Sequence, residues 1–321
     1  MDPTTIINVV KEGMEIVQPV FEPGVQTVVS TLIATIFLKK NTDIEAIEKL
    51  KANKFEEVIT DLINQGKMTY LELYRCKNFL QIARLADKMY GKNFNERKEK
   101  TEFDFDWFMR FFDAAGNISN EELQKLWAQI LNNEIQHPNN CSLRTLEILR
   151  NMSASEAKMF QKLCQFVVQS GNMYFILPHG FLNNEEDMRD CQNYIKSQGM
   201  NYVDAILPMF EANILTADHD LITYMNEGNQ IAIHNQKIWG SIMCLEGVDI
   251  LLQQEAYCLT ASGIQLYKII ADDPEFEVDT DYLLRCLKQM KTQMTNFEFH
   301  AYLIYKYSEE GAEIVGNDLL L

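Results

Sequence analysis

"NISNEELQKLWAQILNNEI", residues 117–135, decides how the first half of this chain is read. Ser119 followed by Glu122 has the form of a capping box, in which the hydroxyl accepts from the first helical turn and the glutamate reaches back. Ile118 and Leu123 flank that box as a hydrophobic staple. Leu123, Leu126, Trp127, Ile130 and Leu131 then recur at helical spacing, so one face is apolar. Pro138 cannot continue the helix, because its nitrogen lacks a hydrogen. The stretch therefore predicts an amphipathic helix with its own start and stop.

Its polar residues invite a chemical reading, which has to be weighed against that architecture. Glu122 is expected in the cap, and Glu121 in the first turn complements the helix dipole. Glu134 and His137 have the i, i+3 spacing of helical metal sites, but those sites need a second such motif. None is present, so a solvated helix end is expected there and no metal.

Upstream, "DFDWFMRFFDAA" (104–115) sets Trp107, Phe108, Phe111 and Phe112 on one helical side. Arg110 and Asp113 can pair at i, i+3, and a partly buried bridge to a neighbouring helix is expected. Downstream, "SLRTLEILRNM" reads as a helix, and Ser153 with Glu156 opens another, "ASEAKMFQKLCQFVV". Residues 42–92 read as two helices, the first opened by Thr42 and Glu45 and the second running through "TYLELYRCKNFLQIARLADKMYG". "GKNFNERKEKTE" reads as a polar linker. Residues 1–38 read as two short helices around Pro19 and Pro23. The second carries an apolar stripe from Val25 to Phe37, expected in a core or oligomer interface, with membrane contact as the alternative.

After Gly171 the pattern changes. "NMYFILP" is strand-like, and "NYVDAILPMFEANIL" is helical with a bend at Pro208. "LITYMNEGNQIAIHNQKIWG" reads as strands around a turn at "NEGN". "VDILLQQEAYCLTASGIQLYKIIAD" is a strand leading into a helix capped by Thr260. A last helix follows Asp279, and two strands close the chain around "SEEG". "ADHD" (217–220) reads as a turn or cap before a strand. The fold class is thus mainly α in the N-terminal half and α+β, winged-helix-like, in the C-terminal half. The expected domains are 1–100, 101–170 and 171–321.

Composition narrows the function. The chain has 321 residues and a formal net charge of −17. Between Lys39 and Lys100 there are 14 Lys/Arg against 10 Asp/Glu, so the acidity lies elsewhere. Duplex binding needs basic surface. In a winged helix the reading helix would be residues 201–214, which hold two acids and no Lys or Arg. A protein-contact or structural module is expected instead. The seven cysteines are widely spaced, without a C-x-x-C pair, as in a reducing cytoplasm. The longest apolar run near the start, 25–38, is 14 residues interrupted by polar ones. A span takes about 20, so a transmembrane anchor is not expected. Nor is a signal peptide, for no cation leads the first residues. G-x-S-x-G, G-x-x-x-x-G-K-[ST] and G-x-G-x-x-G are all absent. No catalytic, cofactor-binding or metal-ligating residue is assigned.

The stretch from Asp106-Trp107 through "FFDAAGNIS", "LQKLWAQIL", Glu134, Pro138, "SLRTLEIL" and "MSASEA-MF" resembles an uncharacterised bacterial family, the domain of unknown function numbered 2806. "ELYRCKN" and "LTASGIQL" extend the resemblance to roughly residues 70–270. Asn139 stands where such proteins commonly have glycine, and asparagine tolerates the same left-handed turn. The helical centre is also similar to a family linked by name to abortive infection. The resemblance implies a fold relationship and no chemistry. The structural signature is Trp107, Arg110, Asp113, Ser119, Glu122, Trp127, Glu134 and Pro138. The expected function is a non-enzymatic interaction or regulatory protein in bacterial anti-phage defence, a sensor or contact-acting effector whose partner is a protein or itself. Three alternatives stand beside it: a membrane-active effector using residues 1–38, a nuclease-like enzyme with a spatially assembled site, and a winged-helix DNA-binding regulator.

Overall fold

The computed structural model describes residues 64, 66, 69–90, 104–181, 189–308 and 311–320. The helices expected within 1–38 and the first helix of 42–92 lie outside these residues, apart from positions 64 and 66. The described residues fall into two units, one ending at Ala154 and one beginning at Ser155.

The first unit is helical: α1 (Tyr70–Tyr90), α2 (Phe105–Ala115), α3 (Glu121–Gln136) and α4 (Leu143–Asn151). Asp104 caps α2 by accepting from the N–H groups of Asp106 and Trp107. The cap of α3 is Asn120, whose side chain accepts from the Leu123 N–H at 3.1 Å. The capping box expected at Ser119 and Glu122 is therefore displaced by one residue. Asn120 competes at the adjacent position with an equally good acceptor, Ser119 is exposed, and Glu122 instead makes an exposed pair with Lys125.

The helices meet through rings. Phe79 of α1 touches Phe108, Phe111 and Phe112 edge-on. Phe111 stacks on Trp107 and meets Trp127 edge-on at 5.2 Å. Edge-to-face contact of this kind adds to the burial of the rings themselves. Helix α3 is buried at every position from Leu123 to Ile135 except Lys125, so polar Gln124, Asn132 and Asn133 are inside as well. The amphipathic reading placed one face in the core; packing has claimed both.

The second unit holds α5 (Ala154–Cys164), β1 (Val168–Ser170), β2 (Met173–Ile176), α6 (Arg189–Ser197), a π-helical turn (Tyr202–Ile206), α7 (Leu207–Glu211), β3 (Leu215–Met225), β4 (Gln230–His234), β5 (Ile238–Cys244), β6 (Ile250–Leu259), α8 (Ala261–Ala271), α9 (Thr280–Gln293), β7 (Phe297–Ser308) and β8 (Gly311–Val315). The eight strands form one antiparallel sheet in the order β3-β6-β2-β1-β4-β5-β7-β8. The N-terminal half is thus helical and the C-terminal half carries an antiparallel sheet.

Several sequence signals hold. Thr260 and Asp279 cap α8 and α9 through the N–H groups of Gly263 and Tyr282. The bend before Pro208 is a π turn that ends where the proline removes a donor. Gly263 is demanded by close approach: a Cβ there would lie 2.4 Å from the Ile214 carbonyl oxygen. Two assignments change. The helix expected to run through Val168 stops at Cys164, and Val168 pairs with Phe175 in a hairpin turned at Gly171 (φ 56°). Branched valines suit that extended pairing better than a last helical turn. "ADHD" lies within β3, at a register shift between Thr216 and His219, rather than before a strand.

One face of the sheet's centre is core. Ile233, Ile242, Phe299 and Ala301 are buried there, and Leu287 of α9 rests against Gly240. Tyr282 of α9 hydrogen-bonds the carbonyls of Leu177 and His179. Among the described residues no helix is long and apolar enough to cross a membrane.

Candidate functional site

Three of the signature residues converge on one loop. Helix α3 ends at His137, and the chain turns through Pro138 and Asn139, which takes the left-handed conformation (φ 67°). Glu134, 2% exposed, folds under this turn. Its Oε1 accepts from the Asn139 N–H at 2.6 Å and its Oε2 from the Cys141 N–H at 3.0 Å. Asn133 Oδ1 accepts from Asn140 Nδ2 at 2.8 Å, and Trp107 Nε1–H donates to the Cys141 carbonyl at 2.7 Å. The solvated helix end expected at Glu134 is overturned: the acid is a buried clamp on the loop that follows its own helix. Only His137 stays exposed there as expected.

The electrostatics suit a clamp. Burial pushes the Glu134 carboxyl above its ordinary range, and the amides of Cys141, Asn139 and Asn140 offset part of that rise. Burial, with the Glu134 charge adding, pushes the Cys141 thiol up to about 12, so it is not a thiolate nucleophile. Both carboxylate oxygens are engaged away from solvent.

The other signature residues do not join. Arg110 and Asp113 are both exposed, and no ion pair links them; the expected bridge to a neighbouring helix does not form among the described residues. Arg110 has faced solvent because α2 turns its aromatic side inward. Ser119 and Glu122 are at the surface. Trp127 is fully buried, and its indole N–H has no acceptor. Sequence reasoning missed Cys141 and Asn140 as loop partners: Cys141 acts through its backbone, and the Asn140 side chain meets Asn133 only once the chain has turned back.

A different arrangement lies on the sheet. A cleft of about 120 Å³ is lined by Gln169, Tyr174, His234, Gln236, Tyr267 and Lys268, among others. Enclosed small-molecule sites commonly run to about 300–1,000 Å³, so this is a shallow recess. Tyr174 and Tyr267 meet at 5.6 Å, and the Lys268 ammonium lies 5.5 Å from the Tyr174 ring centre. The His234 ring stacks on Trp239 at 4.9 Å and 13°, and burial holds its imidazole below the ordinary range. None of these residues stood out in the sequence, because they come from separate strands and a helix. Beyond the cleft on β7, His300 Nδ1 pairs with Asp318 at 2.8 Å. Burial raises the Asp318 carboxyl, but the N–H groups of Ala301 and Leu320, together with His300, hold it below the usual range.

Among the described residues no three His, Cys, Asp or Glu side chains are placed to share a metal ion. All seven cysteines are buried, and none is in a disulfide.

No curated protein and no solved structure matches the chain. A family model does, over residues 65–283, from the start of the described helical unit into α9. That is more than half the sequence, and the chain belongs to the family described as "Protein of unknown function (DUF2806)".

Proposed function

We propose that this chain is a non-enzymatic interaction or regulatory protein of the cytoplasm whose second unit is a winged-helix-like contact module. The carrying observation is the surface of the helix pair. Val203 is 64% exposed and Leu207 39%, beside exposed Asp204 and Glu211. The helix order supports the module: α5, then β2, α6, the π turn with α7, β3 and β6, with β3-β6-β2 as neighbours in the sheet. In such a module the second helix of the pair and the tip of the β3–β6 ribbon face the partner. Here the tip carries exposed Tyr224 opposite exposed Leu251. The acidic groups there repel phosphate, and the apolar ones suit a protein. A place in bacterial anti-phage defence, as sensor or contact-acting effector, rests on the resemblance to an abortive-infection family.

The test pairs two measurements. A band-shift with duplex DNA at low salt is expected to show no complex. Affinity capture from the native host, with the full chain and with a Val203→Glu, Leu207→Glu double variant as bait, is expected to lose a specific protein in the variant. If DNA binds, or the two baits recover the same proteins, the reading fails.

A further inference from the structure

Five side chains from five strands line up across one face of the sheet. Tyr174 of β2 lies opposite Gln169 of β1, Gln169 opposite His234 of β4, His234 opposite Trp239 of β5, and Trp239 opposite Tyr302 of β7. Directly opposed residues of antiparallel strands project to the same side. The row is therefore continuous, with the cleft at its β2 end. Tyr174, Gln169, Trp239 and Tyr302 are half-buried, so the row is open on either side of His234, which is 8% exposed.

Its spacing has a natural counterpart. Neighbouring strands lie about 4.7–4.9 Å apart, which makes the row roughly 19 Å long. A polyproline II helix rises about 3.1 Å per residue with three residues per turn, so a turn covers about 9.3 Å. That is two strand spacings. Tyr174 and Tyr302 stand four strand spacings apart, about two turns of such a helix, and would meet the same edge of it with Trp239 between them.

Hydrogen bonding points the same way. The hydroxyls of Tyr174 and Tyr302 and the indole N–H of Trp239 have no partner among the described residues. A polyproline II backbone makes no internal hydrogen bonds, so its carbonyls are free acceptors. Free donors between aromatic walls face free acceptors. The charges then choose among ligands that stack on rings. Single-stranded nucleic acid also stacks on aromatic side chains, but it needs a cationic groove. Here Lys268 and Asp272 stand at one end and Glu298 and Asp318 at the other, with His300 between that last pair. Asp318 is buried and paired with His300, so the half-exposed Glu298 is the acid that the β7 end offers to a cation.

We infer that this row is a docking groove for a proline-rich segment of a partner protein, about six residues long in polyproline II form, with a Lys or Arg flank over Glu298. The groove is separate from the Val203–Leu207 surface. It deepens the reading of an interaction protein by naming a partner chemistry, and it can fail while that surface stands.

The full chain is titrated with a decaproline peptide carrying a terminal Arg, by calorimetry and by tryptophan fluorescence. Trp107 and Trp127 are 3% and 0% exposed, so the fluorescence change reports Trp239. Saturable binding is expected, weakened at least tenfold by Trp239→Ala and at least twofold by Tyr302→Phe, which keeps the ring and removes only the hydroxyl. Replacing the Arg with Glu is expected to weaken binding severalfold. Circular dichroism checks each variant, and Tyr302→Phe carries the decision if Trp239→Ala does not fold. Absence of binding at millimolar peptide, equal binding of a Gly/Ser peptide bearing the same Arg, indifference to Tyr302→Phe, or tight binding of an oligothymidine in place of the peptide would each overturn the inference.

Discussion

The loop under Glu134 and the row from Tyr174 to Tyr302 use similar residue types in opposite ways. In the first, every hydrogen-bonding group is met from within: the carboxylate by two backbone amides, the Trp107 indole by a carbonyl. In the second, an indole N–H and two phenol hydroxyls are left unmet at a half-open surface. A polar group satisfied inside the fold holds the fold, and its removal costs stability. A polar group left free outside costs the fold little and is available for binding. The contrast also shows where not to look for function, since the conspicuous motif belongs to the first kind.

The difference can be broken by measurement. The largest effect is expected at Trp127, which is fully buried against Phe111. Trp127→Ala should cost roughly 3–5 kcal/mol in denaturant unfolding, and an unchanged midpoint would remove this residue from the core. Next is pH. His179 is buried with Nδ1 unpartnered, and burial lowers its pKa from 6.5 to about 4. The unfolded chain therefore takes up a proton first as pH falls. Stability is full above about pH 6.5 and declines toward pH 4, at about 1.4 kcal/mol per unit and roughly 3 kcal/mol in all. In melting curves across that window the wild type should lose more stability toward acid pH than His179→Leu does; parallel curves would show that this imidazole titrates normally.

Glu134→Gln comes third. The amide keeps one acceptor but turns an NH2 toward a backbone N–H, leaving one buried donor unmet. A loss of about 1–3 kcal/mol is expected, and its absence would mean the loop does not need its clamp. The smallest test separates neighbours: Asn120→Ala should cost about 1 kcal/mol, while Ser119→Ala should stay within about 0.5 kcal/mol. Reversed values would restore the cap to Ser119. By contrast, Tyr302→Phe should leave melting unchanged within about 0.5 kcal/mol, because its hydroxyl holds nothing inside.

Much of the architecture was legible. The cap at Thr260, the last helix after Asp279, the helix stop at Pro138, the bend at Pro208 and the left-handed Asn139 all follow from local backbone chemistry, and such chemistry is written in adjacent residues. Ser119 misled because Asn120 beside it has the same capping ability. Glu134 misled because its partners are backbone amides beyond a proline, reached only once the chain doubles back. The row was invisible for a stronger reason. Gln169, Tyr174, His234, Trp239 and Tyr302 span more than 130 positions, and only strand register brings them together.

The strand order has a kinetic side. β1 and β2, inside the sheet, are its shortest strands, with three and four residues. β2 must receive β6 and β1 must receive β4, each arriving from far along the chain. Neither flank can zip up in the order of synthesis. The small hairpin at Gly171 must wait for both partners before it is fully paired, and pairings so remote in sequence slow folding from microseconds toward milliseconds or seconds.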